Sequence, residues 1–300
     1  MLSRIVLLCA IVATLVASGC GSGDEDGDRP VVAAFYPLAY AVGQIAGDEV
    51  EVTNLTPPGA EPHDLELTAR DVESLRDAAL VVYAGEGFQA TVEDALEERT
   101  GPSLDVLHGL GLRLSTGHDH EEEAGSATEG HEDQELDPHV WLDPTRFAMI
   151  VRRIATELGD PTGADDLVAR LETLDRELRR GLAHCRHREL VTSHAAFGYL
   201  ADRYGLEQIP LTGVSPESEP SPKELEELVH EVRETGATTV FFETLVSPEL
   251  AEIIARESDA TTAVLDPIEG LSQDDLDAGA DYFTVMRENL AALRKALGCT

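Results

Sequence analysis

Residues Leu136–Pro144 read Leu-Asp-Pro-His-Val-Trp-Leu-Asp-Pro, and they hold His139 and the chain's only tryptophan, Trp141, between two Asp-Pro pairs. Because proline fixes its own φ and disfavours helix in the preceding residue, each Asp-Pro pair forms a stiff corner. We therefore expect His139 to have a fixed orientation, with Trp141 packed against it. A histidine fixed in this way suggests a metal site.

The segment just upstream, Gly117–Glu135, is rich in acids, glycine and alanine and carries His118, His120 and His131. It has no apolar period, so it cannot contribute to a core and is predicted to be a mobile loop. His118 and His120 are two residues apart and could share one ion, while the glutamates raise the local cation concentration. The loop is therefore a candidate for auxiliary metal capture, although its histidines could equally serve only its solubility.

Composition excludes one class of function. The 300 residues are 42% hydrophobic, enough for two lobes with cores of their own. The formal net charge is −36, from 58 acids and 22 bases, which repels nucleic acid and attracts cations. We predict no nucleic-acid partner. Acid-rich chains with few lysines also occur in salt-adapted organisms, where counterions screen the self-repulsion.

The first 20 residues have the pattern of a signal peptide. Arg4 precedes the apolar run Ile5–Val16, which is too short to span a bilayer as a mature helix. Ala-Ser-Gly-Cys at 17–20 resembles the lipobox of bacterial lipoproteins, so Cys20 is the expected lipidation site, with ordinary cleavage and secretion as the alternative. Residues 21–30 are glycine, serine and acids, as expected of a flexible tether.

Two cysteines, Cys185 and Cys299, remain in the expected mature chain. Outside the cytoplasm two such thiols usually form a disulfide, and the alternative is two separate buried thiols.

Short β-rich runs alternate with helical stretches on both sides of a long helical segment, which predicts two parallel-sheet α/β lobes. We assign residues 31–160 to the first lobe, 161–184 to the linking helix and 185–300 to the second lobe. Leucines recur every three or four residues within Ala164–Ala183, giving one apolar stripe on a stiff helix. The predicted strands are Val31–Phe35, Val50–Leu55, Ala79–Tyr83, Leu104–Leu107, Leu190–Thr192, Glu207–Pro210, Thr239–Phe242 and Thr262–Leu265.

Polar residues follow several of these strands, where open α/β sheets bind ligands. His63, His194, Glu243 and Asp266 occupy such places, and His139 adds a third imidazole. Three His nitrogens and an Asp oxygen suit tetrahedral Zn²⁺, although no pair has diagnostic spacing. Four further histidines are expected to be solvated on surface helices and turns: His108, His184, His187 and His230. The chain has no His-Glu-x-x-His helix, Gly-x-Ser-x-Gly elbow or phosphate-binding glycine loop.

Four motifs together resemble the zinc/manganese substrate-binding lipoproteins of bacterial ABC transporters, over nearly the whole mature chain. They are Pro-Gly-Ala-Glu-Pro-His-Asp at 58–64, Asp-Pro-His-Val-Trp-Leu-Asp-Pro at 137–144, Thr-Ser-His-Ala-Ala-Phe-Gly-Tyr-Leu-Ala-Asp-Arg-Tyr-Gly-Leu at 192–206 and Leu-Asp-Pro at 265–267. The resemblance implies two lobes joined by a rigid helix, with the metal between them. It further implies His63, His139 and His194 as ligands, and Asp266 as the fourth ligand or as the neighbour of a water that is.

The zinc branch of that family carries His where the manganese branch tends to carry Glu, and it often has a His-rich acidic loop before its second ligand. His194 and the loop 117–135 therefore imply zinc. Glu243 matches a family glutamate in the cleft and is expected, with Glu61, to lie next to the ligands rather than on the metal.

The predicted protein is a monomeric, lipid-anchored zinc receptor outside the cytoplasm that delivers Zn²⁺ to an ABC permease in the cytoplasmic membrane. It is not expected to be an enzyme. A manganese or broad divalent-metal receptor of the same fold is the first alternative. A secreted zinc hydrolase with Glu61 or Glu243 as base is the second, and an adhesin-like surface protein with structural metal is the third.

Overall fold

The computed structural model describes residues 30–115, 135–216 and 220–300. The predicted signal peptide, Cys20, most of the tether, and His118, His120 and His131 lie outside these ranges. No helix within the described ranges is both long and apolar enough to cross a membrane.

The first lobe is built on a four-stranded parallel sheet in the order β2-β1-β3-β4. Its central strands are continuous apolar runs, as expected for a sheet covered on both faces. The strands are β1 Val31–Ala33, β2 Val52–Asn54, β3 Leu80–Tyr83 and β4 Ser103–Asp105, and the helices between them are α1 Tyr36–Ala46, α2 Ala69–Asp77 and α3 Ala90–Glu97.

A 3₁₀ helix, Val140–Leu142, and helix α4, Pro144–Glu157, complete this lobe. The second Asp-Pro pair explains where α4 begins: Asp143 caps the helix by accepting a hydrogen bond from the Thr145 N–H, and Pro144 occupies the first turn. The corner predicted from the sequence is therefore a helix start.

Helix α5, Asp165–Gly181, leads to the second lobe. The predicted apolar stripe is buried along its length, at Leu167, Leu171, Leu174 and Leu178. A helix of this length spans about 25 Å.

The second lobe repeats the architecture with a parallel sheet in the order β6-β5-β7-β8. Its strands are β5 Glu189–Thr192, β6 Glu207–Pro210, β7 Thr239–Phe242 and β8 Thr261–Val264. Its helices are α6 Gly198–Tyr204, α7 Pro222–Thr235, α8 Glu249–Glu257, α9 Gln273–Asp277 and α10 Tyr282–Ala296. The two-lobe α/β fold is thus confirmed.

The last helix, α10, packs against both lobes. The Tyr282 ring lies 4.8 Å from the ring of Phe147 in the first lobe, and Arg287 bonds to Glu177 on α5 at 2.8 Å. At the far end of α10, the predicted disulfide joins Cys299 to Cys185. The lobes are therefore held together by two helices, where the sequence had indicated only the linking helix.

Candidate metal centre

His63 lies on the loop that follows β2, and its side chain is 9% exposed. Its backbone N–H donates to Glu61 Oε1 at 3.2 Å, and its ring packs edge-on against Phe88 with centroids 4.6 Å apart. The proline-rich loop therefore delivers an oriented imidazole to the carboxyl end of the first sheet.

His139 is fully buried and is held by the aspartate two residues before it. Both the backbone N–H and Nδ1 of His139 lie within hydrogen-bonding distance of Asp137 Oδ1, at 3.0 and 2.9 Å. The Trp141 ring packs 5.2 Å from the imidazole. The expected fixed orientation is present, and Asp137 is the residue that sets it.

His194, directly after β5, is also fully buried. Its Nδ1 lies 2.5 Å from Oε1 of Glu243, which follows β7 and also accepts a short hydrogen bond from the Ser193 hydroxyl. Glu243 therefore lies against the Nδ1 side of the His194 ring. The carboxylate fixes the ring and its tautomer.

In the neutral form that donates Nδ1–H to the carboxylate, each imidazole has its lone pair on Nε2, and the Nε2 atoms of His139 and His194 face each other at 3.3 Å. Oε1 of Glu269 lies 2.8, 3.4 and 3.5 Å from Nε2 of His139, His194 and His63. These contacts join acceptor to acceptor when the imidazoles are neutral. Accordingly, both Glu269 oxygens and His63 Nε2 have no hydrogen-bond partner among the described residues.

One ligand atom from each of His63, His139, His194 and Glu269 lies within 4.8 Å of the others. Three imidazole nitrogens and one carboxylate oxygen form the donor set of a tetrahedral Zn²⁺ site. Converging lone pairs in a buried space require either a cation or protons, so the geometry fits a bound divalent metal.

The surroundings show how the metal-free site balances its charge. Burial alone would lower the pKa of His194, but the charge and hydrogen bond of Glu243 raise it well above its usual value. Burial also opposes protonation of His139, yet Asp137 and Glu269 raise its pKa. Burial would raise the pKa of Glu269, but the three imidazoles hold it well below its usual range. Protons can therefore take the place of a metal.

The sequence predicts Asp266 as the fourth ligand or as the neighbour of a water that is, and in the structure both of its carboxylate oxygens accept hydrogen bonds from the protein. Its Oδ2 accepts from the Thr244 hydroxyl at 2.5 Å and its Oδ1 from the Ile268 N–H at 2.6 Å, and it lies outside the group of four. Burial raises the pKa of this carboxyl to about 6. The fourth oxygen in the geometry belongs to Glu269, three residues further on.

Glu61 also lies beside the group. One of its oxygens accepts from the His63 N–H, and the other is buried without a hydrogen-bond partner among the described residues. Burial, reinforced by the negative charge of Glu269, raises the pKa of Glu61 to about 9. In the metal-free protein Glu61 is therefore a neutral carboxylic acid at neutral pH.

Sequence reasoning missed Glu269 and Asp137. Asp137 could have been found, because an aspartate two residues before a histidine can reach its Nδ1. Glu269 has no such local signal, because it neither follows a predicted strand directly nor lies two residues before a histidine. Among the histidines expected to be solvated, His230 has a side chain 74% exposed and pairs with Glu234 on the same helix, at 3.4 Å.

Comparison with known proteins identifies the family. The profile of ZnuA, the periplasmic component A of the zinc-uptake complex, matches residues 31–296. The chain belongs to the ZnuA family. Its fold is thus that of a family of zinc-uptake components.

Two named relatives are identical to it at about a third of the aligned positions. The zinc-binding protein AdcA of Streptococcus pyogenes serotype M3 is 34% identical over 317 residues, which cover 98% of this chain and 61% of that protein. The high-affinity zinc uptake protein ZnuA of Bacillus subtilis is 35% identical over 92% of this chain and 90% of its own length. The chain thus spans less than two thirds of AdcA but nearly all of the Bacillus protein.

Solved structures agree with this assignment. The Zn(II)-bound ZnuA-like domain of Streptococcus pneumoniae AdcA superposes with a TM-score of 0.73 at 31% identity, covering 90% of this chain and 99% of that one. The laminin-binding protein Lmb of Streptococcus agalactiae gives a TM-score of 0.77 at 29% identity with the same coverage. Lmb is described as having both adhesin and metal-transporting activity.

Proposed function

We propose that this protein is an extracytoplasmic receptor that binds Zn²⁺ between its lobes and delivers it to an ABC importer. The observation that carries the proposal is that three imidazole Nε2 atoms meet the Glu269 carboxylate, whose two oxygens have no hydrogen-bond partner among the described residues. His63, His139, His194 and Glu269 are the proposed ligands. Asp137 and Glu243 hold two of the imidazoles in the tautomer that presents Nε2 to the metal.

The donor set favours zinc over manganese. Imidazole is a borderline ligand that suits Zn²⁺, whereas Mn²⁺ prefers oxygen donors and higher coordination numbers. Three of the four proposed ligands are nitrogens, and the space that they enclose is buried. The first alternative is a manganese receptor of the same fold, and competition between Zn²⁺ and Mn²⁺ distinguishes the two.

The geometry speaks against the hydrolase alternative. Catalytic zinc keeps one coordination position for water, while sites with four protein ligands are closed. Here Glu269 completes a set of four protein groups. A closed site suits a receptor that binds and releases the metal and does not use it for catalysis.

Family membership and the sequence together support a proposal for the location and the partner. The S. pneumoniae relative is named a zinc-binding lipoprotein. We propose that Cys20 carries the lipid, that residues 21–30 tether the fold to the membrane, and that the monomeric receptor docks on a permease there.

Competition titration with Zn²⁺ and Mn²⁺ against a chromogenic chelator tests the central claim. We expect zinc to bind far more tightly than manganese. Alanine substitution of His63, His139 or His194 should each weaken zinc strongly, while His230→Ala, an exposed control, should not. Equal affinity for the two metals, or zinc binding untouched by the three substitutions, would refute the assignment.

Auxiliary capture by His118, His120 and His131 is a separate proposal. Deleting residues 117–135 should remove weak additional zinc sites and leave the tight site nearly unchanged. Equilibrium dialysis over a range of zinc concentrations measures both. Loss of tight binding on deletion would place one of these histidines in the main site.

A further inference from the structure

The turn that carries Glu269 has an unusual backbone. Ile268, the residue before Glu269, has a φ of 57° and a fully buried side chain. A β-branched residue rarely adopts this left-handed conformation, because its Cβ meets the neighbouring carbonyl. Such a conformation persists only where the surroundings impose it. Whatever holds Ile268 therefore also decides where the Glu269 carboxylate lies.

Asp266 is the first residue that imposes the turn. It accepts the Ile268 N–H on Oδ1 and the Thr244 hydroxyl on Oδ2, so both of its oxygens are used. Its own backbone is held by the buried Asn289 of α10, which accepts from the Asp266 N–H at 2.9 Å and donates to the Asp266 carbonyl at 2.6 Å. Asp266 thus links the strained residue to Thr244, after β7, through its carboxylate and to α10 through its backbone.

The other contact comes from the first lobe. The indole N–H of Trp141 donates to the carbonyl of Pro267 at 2.8 Å. Trp141 follows His139 by two residues and packs against its ring. The same short segment therefore holds one proposed ligand, His139, and bonds to the turn that holds another, Glu269.

We propose that Asp266, Thr244 and Trp141 are positioning residues that hold the Asp266–Glu269 turn in its strained form, so that Glu269 meets the three histidines only when the lobes are together. This inference rests on the proposed zinc-binding function. Asp266 then acts through Glu269 and forms no bond to the metal. Opening of the lobes would break the Trp141–Pro267 bond and release the carboxylate from the site.

A mutant cycle tests this role. Thr244→Val removes the hydroxyl bonded to Asp266 and leaves the proposed ligands in place. We expect Thr244→Val to weaken zinc about tenfold, at the lower end for groups that orient a metal ligand. Glu269→Ala should weaken it at least as much, and the double variant should be no weaker than Glu269→Ala alone. A purely structural role would instead make the two effects add.

Thr284→Val is the matched control. Thr284 is another exposed threonine of the second lobe whose hydroxyl donates to an aspartate, Asp281, at 2.8 Å, but it does not touch the turn. Its substitution should leave zinc affinity unchanged. As a second readout, the visible spectrum of the Co²⁺-loaded Thr244→Val protein should shift toward that of Glu269→Ala. Asp266→Asn is the second variant and should act in the same direction.

The failures can be told apart. If the unsubstituted protein takes up no zinc, the proposed function itself is wrong. If it binds zinc but Glu269→Ala has no effect, Glu269 is not a ligand and the positioning role is overturned with it, while zinc binding itself stands. If Thr244→Val matches the unsubstituted protein in affinity and Co²⁺ spectrum, only the positioning role is overturned.

Discussion

At the residue scale, the buried histidines of the site each have a carboxylate on the side away from the proposed metal. Asp137 faces His139 and Glu243 faces His194, and both imidazoles have raised pKa values as a result. A metal binds only the neutral imidazole, so it has to displace these protons. The carboxylates that orient the ligands therefore also set the pH range of binding.

We predict that zinc binding releases protons at neutral pH and that affinity rises with pH through the neutral range. The sign follows from the direction of the shifts. A raised pKa keeps the imidazole protonated to a higher pH, so the loss of affinity on acidification begins above the ordinary histidine value of about 6.5. Calorimetry in two buffers with different ionisation enthalpies counts the protons released.

Glu243→Gln is the informative variant for this prediction. It keeps the size of the side chain but removes the charge that raises the pKa of His194. We expect fewer protons to be released and the pH profile to move to lower pH. Identical heats in the two buffers for the unsubstituted protein at pH 7 would contradict the prediction.

At the scale of elements, α6 bonds to the two short segments that flank residues 116–134. The N–H of Arg113 donates to the Tyr199 hydroxyl at 3.0 Å, and that hydroxyl donates to the Asp137 carbonyl at 2.9 Å. The flanking segments also pair with each other through the Leu114–Leu136 bridge. Because Asp137 orients His139, the Tyr199 hydroxyl lies one step behind a proposed ligand.

Tyr199→Phe should therefore lower the free energy of unfolding by about 1–2 kcal/mol, the usual cost of losing a buried hydrogen-bonding group, and should also weaken zinc severalfold. Tyr204→Phe is the control, because Tyr204 lies on the same helix and donates to Asp175, away from the histidines. It should cost similar stability without changing zinc affinity. Denaturant unfolding and chelator competition provide the two measurements. Equal zinc loss in both variants would show that the effect is only one of stability.

Most of the strands and helices could be predicted from the sequence. Apolar runs such as Leu80–Tyr83 and the leucine stripe of α5 are dictated by burial alone, and the structure places them within a few residues of the prediction. The three histidines follow predicted strands or a rigid corner, so their meeting was foreseeable. Helix ends were less exact: the linking helix is predicted over residues 161–184, whereas α5 spans Asp165–Gly181.

The fourth proposed ligand could not be predicted in this way. Asp266 is an acidic residue at the end of a predicted strand, which is where a metal ligand is expected. Nothing in residue propensity predicts a left-handed backbone conformation for Ile268, two residues later. The strain at Ile268 depends on Thr244, Asn289 and Trp141, which are remote in sequence. Tertiary contacts of this kind have no local signature. The double attachment of α10 went unpredicted for the same reason.

At the scale of the whole molecule, the net charge of −36 implies strong self-repulsion in the folded state. We predict that the thermal unfolding midpoint rises when KCl is raised from ~0.01 M to ~1 M, because the screening length falls from ~30 Å to ~3 Å. Differential scanning calorimetry measures the shift, and sorbitol at matched osmolality is the control. A midpoint independent of KCl, or one that sorbitol raises equally, would contradict this explanation.

The disulfide should stabilise the fold without affecting the site. It links residues 114 apart, for which chain entropy predicts about 4–5 kcal/mol and experiment often gives less. Cys185 precedes β5, whereas His194 follows the opposite end of that strand. The double variant Cys185→Ser, Cys299→Ser should therefore unfold at lower denaturant and bind zinc as before. Weakened zinc binding in the folded double variant would show that the two ends of the second lobe are coupled.

Trp141 should provide an intrinsic fluorescence signal for zinc binding. It is the only indole in the chain, it is almost completely buried, and its ring lies 5.2 Å from that of His139. A protonated imidazole accepts an electron from an excited indole and quenches its emission, and zinc would replace that proton with a closed-shell ion. We excite at the red edge of the indole absorption band, where tyrosine does not absorb. The Trp141 emission should then increase in intensity as zinc binds. Loading and unloading could then be timed by stopped flow on the unlabelled protein, including the moment at which a permease removes the ion.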